Sequence, residues 1–471
     1  MNYIEKIKKQ TNKADDIIYK EIIIGKNIIN LIYVESIASS DNINNFILKK
    51  ISYLDKLNTN DLTDYLYNYL PASNTKKITD YKDLTDLLLN AFTILVINDQ
   101  NILAIETRRD LSRGVSEADY EKTVVGPKDA FIEHYNTNLG LIRRRIKDTN
   151  LHLKTYFLGK HTKTKVGLVY INNICKSELV DAIDSKLKKI NIDGIIDSNY
   201  LKRYLNKSKS LFPTLKSTER PDLASLSLLE GKVLLIVDNS PEVLILPTFF
   251  IDFFHTSDDY YQKQLNISFI RIIRLIAFII SIFLPAFYIA ITTHNPDSMP
   301  INLLLSFQNQ RLSVPFPAFV EATLMIITFE ILRESDIRIP SSMGTAISIL
   351  GGLVLGDAAV NAGIVSPIMI IVVAISAISG LLMQSIEAVN SIRWYRFILI
   401  ILSSLFGYYG IFLGIILILT NLSDTKTQDK DYLYPFAPIN LNEQKDGFIK
   451  IPNKSLKTRN PILSDNNIRG K

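Results

Sequence analysis

The chain has one cysteine, Cys175, among 471 residues. An intrachain disulfide is therefore impossible, and a cysteine-based metal cluster is excluded. The five histidines (His134, His152, His161, His255 and His294) show no HExxH spacing and have no carboxylate cluster beside them, so each is expected to be structural. A nucleophile elbow is missing, and no stripe of Lys and Arg interleaved with aromatics marks a nucleic-acid surface. The formal charge of +6 is mild for this length. Asn2 to Asp16 is polar and charged, with no apolar h-region, so the N-terminal half is expected to stay in the cytoplasm and meet no oxidising compartment. Gly-Lys pairs at 25–26, 159–160 and 231–232 lack the preceding glycines and following Ser or Thr of a phosphate-cradling loop. Each precedes or joins a strand and reads as a hairpin turn. No catalytic residue, cofactor or metal ligand is assigned, and the chain is not expected to be an enzyme.

What the C-terminal half lacks is charge. Leu275–Thr293, Ala358–Ile386 and Phe397–Ser423 carry no charged residue. A bilayer core about 30 Å thick needs roughly 20 apolar helical residues, so these runs read as membrane spans. The first 270 residues are polar and mixed in helix and strand pattern. The expected fold is therefore an α/β soluble N-terminal half followed by an α-helical transmembrane domain, with the change at Arg271. Expected boundaries are a first α/β module at 1–110, a helical connector at 111–150, a second α/β module at 151–270, the transmembrane domain at 271–420 and an extended polar tail at 421–471.

The soluble half carries an internal echo. Ile22-Ile23-Ile24-Gly25-Lys26 leads to Leu31-Ile32-Tyr33-Val34 and an amphipathic segment ending near Ile51. Tyr156-Phe157-Leu158-Gly159-Lys160 leads to Leu168-Val169-Tyr170-Ile171 and a similar segment ending near Ile190. Both read strand, turn, strand, helix. Thr93–Asp99 is echoed by Val233–Asn239 at nearly the same offset, with another apolar strand after each. A tandem duplication is the expectation.

Residues 117–147 hold the densest run of unusual features: Glu117, then Gly126-Pro127, Phe131-Ile132-Glu133, Asn138 and Leu141-Ile142-Arg143-Arg144-Arg145-Ile146. Three consecutive arginines cannot share one helix face. Some must meet water, a carboxylate, a partner chain or lipid headgroups, so Arg143, Arg144 and Arg145 are candidates for a subunit contact; a solvated helix face with one salt bridge is the alternative. This run is similar to the A subunits of spore germinant receptors, the GerA family of endospore formers. So are Thr218-Glu219-Arg220-Pro221-Asp222, Leu229-Glu230-Gly231-Lys232-Val233, Asp259-Tyr260-Tyr261, Leu284-Pro285-Ala286-Phe287-Tyr288, Val314-Pro315-Phe316-Pro317, Glu330-Ile331-Leu332-Arg333-Glu334, Arg338-Ile339-Pro340, the glycine run from Gly351 to Gly356 and Phe406-Gly407-Tyr408-Tyr409-Gly410. The resemblance covers about 113–440 in the family's order. It implies an integral protein of the spore inner membrane with its N-terminal domain on the core side. Implied partners are further copies of itself, a transporter-like B subunit, a lipoprotein C subunit and the lipid bilayer. It also implies a response to nutrients such as amino acids and a gated ion pathway. A paralogue encoded with the dipicolinate-channel genes shares the pattern.

In the membrane half, Arg271 and Arg274 precede a first span at about Ile272–Thr293 and favour a cytoplasmic start. Pro285 is expected to kink it. In 315–335, Glu321 and Glu330 lie nine residues apart on opposite faces of a helix, so one neighbour cannot shield both. A re-entrant or interfacial helix within protein is favoured there over a simple span. In a Gly-rich helix at about Ser342–Val360, Gly352 and Gly356 form a GxxxG pair that lets another helix approach. Asp357 follows, with Asn361 one turn later. These six residues (Glu321, Glu330, Gly352, Gly356, Asp357 and Asn361) are the candidate pore or gating set, with an Asp at a helix end near headgroups as the plainer reading of Asp357. Spans at about Ile364–Ser385 and Phe397–Leu419 complete the domain. Four or five crossings both fit, which leaves the side of the tail open.

The expected function is a non-enzymatic membrane sensor that oligomerises to form or gate a cation pathway. A structural scaffold of receptor clusters and the dipicolinate-associated paralogue are the alternatives. A secondary transporter is disfavoured because the repeat lies in the soluble half.

Overall fold

The computed structural model describes residues 3–11, 14–25, 27–52, 59–72, 74–78, 82–111, 118, 121–206, 210–338, 352, 354–440, 444, 446–452, 457–465 and 468–469. Lys26, Glu117 and most of the expected Gly-rich helix lie outside these residues.

The first unit opens with α1 (Tyr3–Gln10), followed by β1 (Ile17–Ile24) and β2 (Asn27–Val34). A hairpin at Gly25, whose φ of 57° suits a residue without Cβ, joins the two strands. Helix α2 (40–51) and α3 (Thr59–Tyr69) precede β3 (Thr75–Ile78). Helix α4 (Lys82–Leu89) then leads to β4 (Phe92–Ile97) and β5 (Asn101–Glu106). The sheet order is β1-β2-β4-β5-β3, and every neighbouring pair is antiparallel. Because side chains alternate along a strand, Ile29, Leu31, Leu95 and Ile97 face α2 and α3, whereas Ile32, Val34, Ile94 and Val96 face the opposite way.

The connector helix α5 (Tyr135–Arg145) leads into the second unit, which repeats the same order of elements. Strands β6 (Leu151–Leu158) and β7 (Thr164–Ile171) form a hairpin through Gly159, where a Cβ would lie 2.5 Å from Thr162 Oγ1. Helices α6 (Ser177–Lys188) and α7 (Ser198–Leu205) precede β8 (Lys216–Thr218). Helix α8 (Pro221–Leu229) then leads to β9 (Val233–Val237) and β10 (Val243–Leu246). The order β6-β7-β9-β10-β8 matches the first sheet position for position, again antiparallel. The soluble half is thus built from antiparallel sheets with helices on their faces. One apolar core joins the inner faces of both sheets, with Leu139 and Ile142 of α5 between Val96 on one side and Ile236 on the other.

The C-terminal half is helical. Helix α9 (Gln264–Thr293) begins seven residues before Arg271 and runs through Pro285 without a break, spanning about 45 Å at 1.5 Å per residue. Among the described residues it is one of two helices long and apolar enough to cross a membrane; the other is α14 (Ile386–Phe406). Between them come α10 (Ile301–Arg311), α11 (Ala318–Arg338), α12 (354–361) and α13 (Pro367–Leu381), and α15 (Tyr408–Asp424) ends the bundle. The segment read as a re-entrant or interfacial helix lies in one continuous helix, Ala318–Arg338. At the end near the sheets, Ser391 donates to Leu211 O at 2.6 Å and Ser210 donates to Asn421 Oδ1 at 2.6 Å. At the far end, His294 Nε2 lies 2.7 Å from Ser404 O, and Tyr408 N donates to Asn295 Oδ1. Helix α9 therefore leaves the soluble half and α15 returns to it.

The segment after Asp424, expected as an extended tail, has little regular structure but is packed. Tyr432 is fully buried and its carbonyl accepts from Phe250 N. Ser464 bridges to Cys175, and Leu463 O accepts from Lys176 N. Aromatic residues explain the docking: a chain whose prolines disfavour helix can still bury large rings.

Candidate functional site: the joint at Arg271 and the polar groups of the bundle

The strongest concentration of buried charge lies where the second sheet, α9 and the C-terminal segment meet. Arg271 is fully buried. Its Nε donates to Asp259 Oδ2 at 2.8 Å, and its Nη1 donates to Asp446 Oδ1 at 2.9 Å and Gly447 O at 2.7 Å. Arg274 donates to Asp259 Oδ1 at 3.1 Å and to Phe254 O at 2.8 Å. The two arginines read as a membrane-flanking pair thus hold protein groups together. Lys450 Nζ reaches Asp259 O at 2.7 Å, and Lys232 pairs with Asp252 at 2.6 Å. Lys216 donates to the carbonyls of Asp252 and His255. Burial pushes the Lys216 ammonium down from its ordinary range, against the pull of Glu121 and Asp252. His255, which contacts Gly447 O through Nε2 at 3.1 Å, is held well below the usual imidazole range by burial and by Arg271.

Around these charges runs an aromatic cluster. Phe250 and Phe254 pack on Phe278 of α9 at centroid distances of 5.7 and 5.5 Å. Phe212 stacks on Tyr395 of α14 at 4.8 Å, and Tyr432 meets Phe250 at 6.1 Å. The outer face of the second sheet, the bundle and the C-terminal segment consequently share one hydrophobic core.

Within the bundle, Glu321 and Glu330 go to different neighbours, as opposite faces require. Glu321 is buried; its Oε2 accepts from Ser366 N at 3.0 Å and Ser366 Oγ at 2.9 Å, at the start of α13, and Arg311 Nε lies 3.5 Å from Oε1. Glu330 meets Arg393 of α14 at 2.8 Å and Arg333 at 3.9 Å. Arg396 is buried, forms no ion pair among the described residues and donates through Nε to Ser281 O at 3.0 Å. Asp357 and Asn361 lie together on an exposed face, Asn361 Nδ2 donating to Asp357 Oδ2 at 3.1 Å. Among the described residues, no atom lies within 4 Å of a Cβ built on Gly352, Ile370 approaches one on Gly356, and no contact brings Asp357 to Glu321 or Glu330.

The three connector arginines separate. Arg143 is buried and forks onto Asp16 at 2.9 and 2.7 Å. Arg145 binds both oxygens of Asp129 at 2.6 Å. Arg144 faces outward, 3.6 Å from Asp129. The motif around them serves the connector's own fold: Asn138 Oδ1 accepts from Ile132 N at 2.8 Å, and a Cβ on Gly140 would lie 2.5 Å from Ser36 O. Sequence reasoning missed Asp259, Asp446, Lys216 and Lys232 as a group. Asp259 stood in a recognised motif, but Asp446 lies 175 residues from Arg271 and carried no signal.

Comparisons with known proteins agree over most of the chain. A family model described as Bacillus/Clostridium GerA spore germination protein matches residues 5–462. Spore germination protein KA of Bacillus subtilis is 36% identical over 455 residues, covering 95% of this chain and 84% of that protein. Spore germination protein B1 of the same organism is 32% identical over 478 residues, covering 99% and 98%. Among solved structures, the N-terminal domain of the A subunit of the Bacillus megaterium spore germinant receptor GerK3 matches at 27% identity and a TM-score of 0.39, over 52% of this chain and 94% of that one.

Proposed function

Because the chain belongs to the GerA family of spore germination proteins, we propose that it is a germinant receptor A subunit of the spore inner membrane that oligomerises and forms or gates a cation pathway. Its soluble half faces the spore core, and its partners are further copies of itself, a transporter-like B subunit, a lipoprotein C subunit and the surrounding lipid. Arg271, Arg274, Arg393 and Arg396 all fall in the half of the bundle nearer the sheets, which supports a cytoplasmic soluble half. Helix α9 leaves the soluble half and α15 returns to it, which supports a cytoplasmic tail. The identical order of strands and helices in the two soluble units supports their origin by duplication.

The observation that carries the gating proposal is the exposed position of Gly352, Asp357 and Asn361, with Asn361 donating to Asp357. A charge in the bilayer costs about 2.5–3.5 kcal/mol on insertion scales, so Asp357 needs a neighbouring copy or water. Small residues beside it admit a close helix. In this reading copies of α12 surround the path, while Glu321 and Glu330 fix α11 to its neighbours. Asp357→Asn should reduce cation release during germination while receptor assembly stays intact. Normal release would remove Asp357 from the path. Cation flux through liposomes containing the assembled chain separates a conducting subunit from a scaffold, which stays silent.

A further inference from the structure

We infer that Arg333, Arg393 and Arg396 form a binding site for the headgroup phosphate of an anionic lipid, at the end of the bundle nearer the sheets. Helices α11 and α14 bring the three together around Glu330. Arg393 Nη2 lies 2.8 Å from Glu330 Oε2, whereas Arg333 Nη1 reaches the same oxygen at 3.9 Å, beyond hydrogen-bond distance. Arg396 is 4% exposed and binds the neutral Ser281, through Nε to its carbonyl at 3.0 Å and through Nη2 to its hydroxyl at 3.3 Å. Glu330, Arg333 and Arg393 all lie within electrostatic reach of Arg396. The buried Nη1 of Arg396 and Nε of Arg393 have no hydrogen-bond partner among the described residues. Glu334 acts on Arg333 from an exposed position. Inside the cluster, one carboxylate thus faces three guanidinium groups.

Unbalanced charge held between helices is costly unless a counter-anion joins it. The position of the cluster says where that anion comes from. Ser391 of α14 is bonded to Leu211 O of the second unit, and Arg393 and Arg396 follow within about 8 Å along the helix at 1.5 Å per residue. That is headgroup depth on the side of the sheets. The side chains of Arg393 and Arg333 remain 33% and 19% exposed, and the same turns expose Trp394 and Ile331. An exposed indole beside apolar side chains suits the boundary between headgroups and acyl chains. A phosphate can therefore reach Arg333 and Arg393 from the bilayer, while Arg396 adds its charge from behind. Guanidinium groups fork onto phosphate oxygens, and basic pockets between helices on the cytoplasmic side suit anionic headgroups. The inference rests on the reading of the bundle as membrane-embedded with its sheet end cytoplasmic, and it makes no use of Asp357 or the ion path.

The test is native mass spectrometry of the full chain in detergent, titrated with phosphatidylglycerol, phosphatidylcholine or inorganic phosphate. One retained phosphatidylglycerol per chain is expected, bound about tenfold or more tighter than phosphatidylcholine. Arg333→Gln/Arg393→Gln should remove that preference. Glu330→Gln, which takes away the competing carboxylate, should strengthen phosphatidylglycerol binding, a gain that misfolding does not produce. The exposed control Arg203→Ala should bind as the wild type does. Should the double variant fail to fold, Arg333→Gln alone serves the same comparison. Equal retention of the two lipids, or a preference indifferent to these variants, overturns the proposal. Inorganic phosphate bound as tightly as the lipid would make this a site for a free anion and also overturn it. So would loss of the oligomer in the double variant with lipid retention unchanged, which would assign the arginines to a carboxylate of another copy. A chain that stays soluble without detergent would refute the membrane reading itself; lost lipid preference in a chain that needs detergent refutes this site alone.

Discussion

The two soluble units share every element in the same order, yet they are finished differently. In the first, the outer face of the sheet is closed by its own helices, with Ile43, Ile47, Leu62 and Leu66 covering Leu31 and Leu95. In the second, α6 and α7 cover part of that face, and α9, α14 and the C-terminal segment join the same core. After the last strand of each unit the chain passes into a helix, of 11 residues in α5 and of 30 in α9. After β5 that helix is α5, buried between the sheets and fixed by Arg143 to Asp16; after β10 it is α9, fixed by Arg271 to Asp259 and Asp446. The same plan therefore serves once to join two soluble units and once to join a soluble unit to a helix bundle. A buried arginine secures each transfer.

The largest expected effects come from breaking those two arginines. Removing one partner of a buried ion pair costs about 3–5 kcal/mol, because the other charge stays buried and unpaired. Arg143→Ala should lower the unfolding midpoint of the soluble half and leave the bundle intact. The apolar replacement Asp16→Leu/Arg143→Met should cost far less than the single change. Arg271→Ala should act at the other joint, exposing the segment around Asp446 to trypsin while the first unit keeps its stability. Equal effects of both variants on the first unit would show that the two transfers are not separate. Denaturant unfolding combined with limited proteolysis distinguishes these outcomes.

The parts of this comparison that were legible in the sequence are the local ones. The hairpins at Gly25 and Gly159 were readable because turn chemistry and strand alternation act over a few residues. Glu321 and Glu330 could be assigned to different neighbours from helical geometry alone, although the partners Arg311, Ser366 and Arg393 could not be named. The joint was not legible. Arg271 and Arg274 carry a strong local meaning, the flank of a membrane span, which concealed their bonds to Asp259 and Asp446. The C-terminal segment was obscured similarly: prolines and scattered charge suggest an unattached tail, whereas Tyr432, Tyr434 and Phe448 are the rings that dock it. Gly352 and Gly356 were read as a packing motif; among the described residues Gly352 meets nothing and Gly356 meets Ile370.

A smaller effect should distinguish the two joints by pH. At the first joint the pKa of His152 is lowered by burial and by Arg143, but at the second His255 is held well below 6.5, by burial and the nearby Arg271, Lys216 and Lys232. A depressed imidazole pKa means that the unfolded chain binds more protons than the folded one as pH falls through about 6.5. Its contribution is thus fully present above that value and is lost on acidification toward the folded pKa. His255→Gln should flatten the fall in stability between pH 7 and 5 relative to the wild type. An unchanged slope would assign the acid sensitivity to other groups. Denaturant midpoints measured across that range give the answer.

The smallest expected signal uses the lone thiol, which belongs to the second unit only. Burial, helped by the charge of Asp465, pushes the Cys175 thiol up to about 12. Thiolate is the reactive form, so maleimide at pH 8 should leave native protein almost unlabelled. The cover over Cys175 includes the C-terminal segment, through the Ser464 bridge and the bond from Lys176 N to Leu463 O. Deleting 457–471 should therefore raise the labelling rate by at least about tenfold, since both access and the fraction of thiolate increase. The strands beneath should remain protected from hydrogen exchange if the segment only covers the unit. Loss of that protection together with rapid labelling would mean that the segment completes the second unit's core, making the two units differ in what folds them as well as in what they carry.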